Sequence, residues 1–96
     1  MRIREFQRLI RRLYYHKDKE RGIDGSFRWL VEEIGELAKC LRQKRKDKEA
    51  LKEEFADTFA WLVSLASLCG IDMEEAIKKY ENGCPRCKKK RCICPD

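Results

Sequence analysis

Between Phe55 and Leu68 apolar side chains fall on nearly every face that a helix would present: Phe55, Ala56, Phe59, Ala60, Trp61, Leu62, Val63, Leu65, Ala66 and Leu68. A helix of that kind has almost no solvent side and must be covered from several directions. With 96 residues in all, the helices left over are too few to cover it completely. A second copy of the chain is therefore expected against one side. Cover from within the chain comes from segments of helical spacing. Phe6, Leu9, Ile10, Leu13 and Tyr14 predict a helix from about residue 2 to 20, with Arg4, Arg8, Arg11 and Arg12 turned outward. Residues 22–26, opened by Gly22, break it. A second helix is predicted from Ser26 to about Lys44, its apolar face made by Leu30, Val31, Ile34, Leu37, Ala38 and Leu41. The apolar segment belongs to a third, from Lys48 to Cys69, with Asp47 placed to cap it and Gly70 to end it. Asp72, followed three residues later by Glu75, has the spacing of a capping box for a fourth helix over residues 73–82. No strand pattern and no internal repeat is present. The expected fold is all-α, an antiparallel bundle of about four helices completed by homo-oligomerisation.

The third helix also contains a conflict. Asp57 stands inside the apolar run, where an unpaired carboxylate either loses its hydration or takes up a proton. Glu54 lies three residues before it, and on the second helix Glu33 and Glu36 are again three apart. Side chains at that spacing share one helix face, and helices joined by a short connection pack antiparallel, so the two pairs can meet as four converging carboxylates. A hard divalent cation resolves the conflict, and oxygen-only ligation suits Mg²⁺ or Mn²⁺. A solvated face accounts for Glu32 or Glu53 taken singly but not for two matched pairs. Dimetal oxygen-activating bundles also point carboxylates inward, but they need Glu-x-x-His on two helices; His16, the only histidine, is in no such motif. Trp29 lies four residues before Glu33 and Trp61 four after Asp57, as core aromatics or as stacking platforms. Cys40 and Cys69 sit in apolar helical contexts and read as small buried hydrophobes.

The run Glu32-Glu33-Ile34-Gly35-Glu36, followed after residues 37–53 by Glu54-Phe55-Ala56-Asp57, resembles the Glu-x-x-Glu and Glu-x-x-Asp signature of the MazG-like nucleotide pyrophosphohydrolases. Asp18-Lys-Glu-Arg21-Gly22 and Lys79-Tyr80-Glu81-Asn82 are also similar to small archaeal-type members, so the likeness covers about residues 1–83. The resemblance implies an all-α catalytic domain over residues 1–83 that forms dimers or dimers of dimers. It also implies Mg²⁺-dependent hydrolysis of nucleoside triphosphates between the α and β phosphates, giving monophosphate and pyrophosphate. Glu33, Glu36, Glu54 and Asp57 are then the metal ligands, and Glu32 or Glu36 orients the water or takes its proton. A triphosphate also needs cationic or amide donors. Lys39 lies one turn beyond Glu36, Lys79 and Asn82 match positions the family uses for phosphate or sugar, and Arg21 is a further donor, while Trp29 is placed to stack on a base.

Residues 84–96 form a separate tail. Cys84-Pro-Arg-Cys87 followed by Cys92-Ile-Cys94 places four of the six cysteines within residues 84–94, a plausible four-thiolate Zn²⁺ site; disulfides and free thiols are the alternatives, and Cys-x-Cys is tighter than the usual second pair. The net charge of +6 owes much to residues 44–48 and 88–91, which either keep the surface hydrated or touch a polyanion. A rival reading follows, a dimeric helical scaffold whose basic cysteine tail grips nucleic acid; a metal-free helical structural protein is a third. The enzyme reading expects nucleoside triphosphate and a second copy as partners, and no nucleic acid. No apolar run reaches the roughly 18 to 20 residues that span a bilayer, and the start of the chain lacks the apolar stretch of a signal peptide. No membrane partner is expected, and a cytoplasmic location is.

Overall fold

The computed structural model describes residues 1–96 as an all-helical chain: α1 (Ile3–Leu41), α2 (Lys48–Leu68) and α3 (Met73–Ala76), the last continued by a 3₁₀ turn over Ile77–Tyr80. The first two helices expected from sequence are both present, and α1 is the two of them joined across a sharp kink at a single residue. Gly22 has φ 73° and ψ 179°, a conformation open essentially to glycine alone, and the helix resumes at once. The rest of the expected break, residues 23–26, is helical, with Ser26 fully buried. α1 stops at Leu41 rather than near Lys44, where Arg42 closes it by donating its N–H to the Ala38 carbonyl.

The ends of α2 are fixed locally. Asp47 Oδ1 accepts from the N–H groups of Glu49 (3.0 Å) and Ala50 (3.3 Å), satisfying two donors of the first turn. At the other end the Ile71 N–H donates to the Ala66 carbonyl and the Gly70 N–H to that of Ser67, a Schellman closure. Cys69, the C-cap, is exposed rather than buried, because the closure carries it past the apolar face; Cys40 is half-buried.

The expected fourth helix shrinks to one α-helical turn and one 3₁₀ turn. Asp72 Oδ1 caps it through the N–H groups of Glu74 (3.0 Å) and Glu75 (3.4 Å), but the reciprocal half of a capping box is missing. The Glu75 carboxylate instead accepts from Arg4 Nη2 (3.1 Å) and Lys78 Nζ (3.0 Å). Arg4 also bonds Asp72 at 2.9 Å and Glu74 at 3.0 Å, so it holds α3 onto α1 rather than facing water, unlike the exposed Arg8, Arg11 and Arg12. Beside it the buried Gln7 side chain uses both ends. Its Nε2 donates to the Ile71 carbonyl (2.8 Å) and Ser67 Oγ (3.1 Å), and its Oε1 accepts from the Met73 N–H (2.9 Å).

Little apolar surface is covered. Ile10, Leu30 and Val63 are the buried apolar residues, while Phe55 is 56% exposed and Phe27, Val31, Ile34, Phe59 and Leu62 also face outward. The radius of gyration, 15.8 Å, exceeds the roughly 12.5 Å of a compact domain of this length. No single helix is long and apolar enough to cross a membrane.

Candidate metal centre

Beyond Gly22, α1 runs antiparallel to α2, and the register can be read from two meetings. Trp29 stacks on Trp61, ring centroids 5.6 Å apart and planes 8° from parallel. One turn further along α1 and one turn back along α2, Glu33 faces Glu54 and Asp57, with one carboxylate oxygen of each lying within 4.8 Å of the others. Helical spacing places both residues of α2 on one face, and the antiparallel pairing brings Glu33 to them.

Three carboxylates this close repel, and the repulsion registers on the half-buried Glu33. Its carboxyl is held above the ordinary value of 4.5, chiefly by burial and then by the charges of Glu54 and Asp57. Glu54 Oε2 is buried and accepts no hydrogen bond. Buried acceptors are normally paired, and the cluster around this one is made of two further carboxylates, which are themselves acceptors. The set fits a hard cation with oxygen ligands, and Mg²⁺ or Mn²⁺ matches it in charge and donor type. Soft or nitrogen donors are missing from the cluster.

Glu36 does not join these three. It is half-exposed and paired with Lys39 at 3.4 Å, the countercharge one helical turn away. Glu32 is exposed and outside the cluster. Lys79, with its ammonium 5.2 Å from the Tyr80 ring centroid, and Asn82 are exposed and line neither the cluster nor the adjoining cleft.

That cleft, of about 230 Å³, opens beside Asp57 between the first half of α1 and α2. Tyr14, Lys17, Asp18, Arg21 and Trp61 line it. Asp18 is only 3% exposed and accepts from Arg21 Nη1 at 2.9 Å; the same guanidinium lies 5.0 Å from the Trp61 ring centroid. Sequence reading pointed to Arg21 and Trp61 here, passed over Tyr14 and Lys17 as site residues, and noted Asp18 only within the Asp18-Lys-Glu-Arg21-Gly22 stretch of the resemblance; Trp29 lies outside the cleft lining. The signal available was the three-residue spacing of Asp18 and Arg21, just before a glycine that turns the helix.

The tail forms a second cluster. The sulfurs of Cys84, Cys87, Cys92 and Cys94 lie within 4.8 Å of one another and none is bridged. Backbone N–H groups of Ile93 and Lys89 pull the Cys87 thiol down to about 6, and those of Cys87 and Arg86 lower Cys84. Cys94, hydrogen-bonded to the Cys92 side chain, is pushed up to about 11.

Residues 22–90 match the MazG nucleotide pyrophosphohydrolase domain, a span that starts at the kink and runs into the cysteine loop. The chain is also similar to dCTP pyrophosphatase 1 of Mus musculus, 36% identical over 59 residues, which covers 50% of this chain and 35% of the relative. The likeness thus spans about a third of that protein's length.

Proposed function

Because the chain belongs to the MazG nucleotide pyrophosphohydrolase domain family, we propose that it hydrolyses nucleoside triphosphates between the α and β phosphates, releasing monophosphate and pyrophosphate. The observation that carries this reading is the meeting of Glu33, Glu54 and Asp57, with a buried, unpartnered oxygen on Glu54, beside a cleft that offers cations and an aromatic wall. Glu33, Glu54 and Asp57 would hold Mg²⁺ or Mn²⁺, and Glu36, which pairs with Lys39, would be the fourth ligand on the strength of the resemblance. When bound, the cation neutralises charge on the phosphates during attack and departure.

The remaining steps belong to the chain's own side chains. Lys39, released from Glu36, is one helical turn from the ligands and donates to phosphate oxygen. Glu32 or Glu36 holds the attacking water in line and takes its proton. Arg21, oriented by the buried Asp18, and Lys17 offer donors on the cleft side. The Trp29–Trp61 pair supplies an aromatic surface for a base, Trp29 being 45% exposed. Lys79 and Asn82 serve as phosphate or sugar contacts on the strength of the resemblance. The uncovered apolar surface of α1 and α2 meets a second copy, as a dimer or tetramer, in the cytoplasm.

The relative acts on dCTP by its name, so deoxycytidine triphosphate is the first compound to test. A panel of ribo- and deoxyribonucleoside triphosphates, plain and base-modified, assayed with Mg²⁺ should give pyrophosphate and monophosphate in equal amounts. Orthophosphate and diphosphate as the products would refute cleavage at the α–β bond.

A further inference from the structure

The four-cysteine tail takes no part in the reaction above, yet its backbone is built to hold the sulfurs together. The chain leaves the 3₁₀ turn through Gly83, at φ 109°, and a Cβ there would stand 2.6 Å from the Lys89 carbonyl oxygen. Only glycine allows that approach. It lets the Cys84 N–H donate to the Lys89 carbonyl at 2.9 Å, while the Lys88 N–H donates back to the Cys84 carbonyl at 2.9 Å. Closing so tight a loop puts Lys88 at φ 64°, the single non-glycine residue with positive φ in the chain, a strain that the surroundings must offset. The second arm is also folded on itself, the Cys94 N–H pointing at the Cys92 sulfur at 3.3 Å.

What those turns deliver is a tetrahedral edge. Sulfurs around a zinc at about 2.3 Å sit about 3.8 Å from one another. Cys84 Sγ and Cys94 Sγ, from opposite arms, are 3.8 Å apart, and all four lie within 4.8 Å. Disulfide sulfurs approach to about 2.05 Å, and all four cysteines are free. From this arrangement we infer that Cys84, Cys87, Cys92 and Cys94 bind one Zn²⁺ as a closed, four-thiolate structural site that folds the tail. A complete thiolate set leaves no open position for substrate, so the site is a staple rather than a catalyst. It gives residues 83–94, which have no helix or strand, the folding energy that burial cannot supply. Lys88, Lys89, Lys90 and Arg91 on the connecting loop are exposed and offset the double negative charge of such a centre.

The test uses the full chain, reduced and stripped of metal, then titrated with Zn²⁺ against a chromophoric chelator. Uptake should reach one zinc per chain. Co²⁺ put in its place should show the intense thiolate-to-metal absorption of tetrahedral coordination. Amide exchange at Cys84 and Lys88 should slow on adding zinc and speed up again on chelation. Cys84→Ser with Cys87→Ser should lose all three signals, whereas Cys40→Ser with Cys69→Ser should keep them. Glu54→Gln should also retain its zinc, which separates this site from the carboxylates. Absence of uptake by the reduced chain would overturn the inference, as would half a zinc per chain, a preference for iron, or disulfides re-forming in the presence of Zn²⁺.

Discussion

Glu54 is the residue on which the proposed chemistry turns, because its Oε2 is buried without a partner while Glu33 and Asp57 crowd it. Asp57→Asn or Glu54→Gln should cut turnover by about 100-fold or more, since loss even of a group that merely supports a metal ligand costs 10- to 100-fold. The same changes relieve repulsion, so the metal-free variants should melt no lower than the parent, and Mg²⁺ should raise the melting temperature of the parent only. Glu33 gives the pH dependence its sign. Its folded-state value lies above the ordinary 4.5, so the metal-free fold gains stability as pH falls through the raised value toward 4.5. Protons then compete with the cation, and the Mg²⁺-induced rise in melting temperature should shrink over that window; an effect of Mg²⁺ that grew on acidification would contradict this. Although Asp57 is exposed rather than shut away from water as its apolar neighbours suggested, Glu33, Glu54 and Asp57 were legible in the sequence because three-residue spacing on two antiparallel helices allows a meeting. Glu36 was not, since its position depends on a competition between Lys39 and the cluster that spacing does not reveal. Asp18 was legible only through the resemblance of Asp18-Lys-Glu-Arg21-Gly22; helical spacing did not mark its burial beside Arg21.

Two residues of α1 govern how the elements meet. Gly22→Ala forces a side chain into a conformation reserved for glycine and should destabilise the fold by about 1–3 kcal/mol, or straighten α1 and open the cleft. Fluorescence of Trp61, which Arg21 covers from the far side of the bend, would report the second outcome beside a denaturant midpoint for the first. Gln7→Leu leaves the Ile71 carbonyl and the Met73 N–H without partners, and should cost about 1–3 kcal/mol by the same denaturation measurement. Ion pairing by Arg4 holds Asp72 below its ordinary 3.8, so its contribution is present above that value and lost as pH falls below it, a window beneath that of Glu33. Helix periodicity revealed α2 and its Asp47 cap correctly. It overextended the last helix, because Asp72 and Glu75 have capping-box spacing whatever Glu75 binds, and the competitor, Arg4, is 71 residues away in sequence. The bend was legible as an interruption but not as a one-residue one, since Gly22 to Ser26 looks alike whether it forms a loop or a helix restarted after one glycine.

For the whole molecule the exposed apolar residues of α1 and α2 and the open shape point the same way as the apolar run in the sequence. Sedimentation at micromolar concentration should show a dimer or larger, with a melting temperature that rises with protein concentration; a clean monomer would refute the association. The apolar run from Phe55 to Leu68 was enough to anticipate that part of this helix is left uncovered within one chain. Which faces meet depends on the shape of both surfaces, which one-dimensional patterning does not contain. The central claim, that the carboxylates of α1 and α2 hold the cation for α–β cleavage, is tested most directly by one Mg²⁺ titration of pyrophosphate release from deoxycytidine triphosphate. Parent and Glu54→Gln chains would be compared at equal, folded concentrations. The account predicts no release without Mg²⁺, saturable activation of the parent, and a variant that stays near background throughout. Equal activation of the two chains, or release from the parent in the presence of a strong chelator, would contradict it.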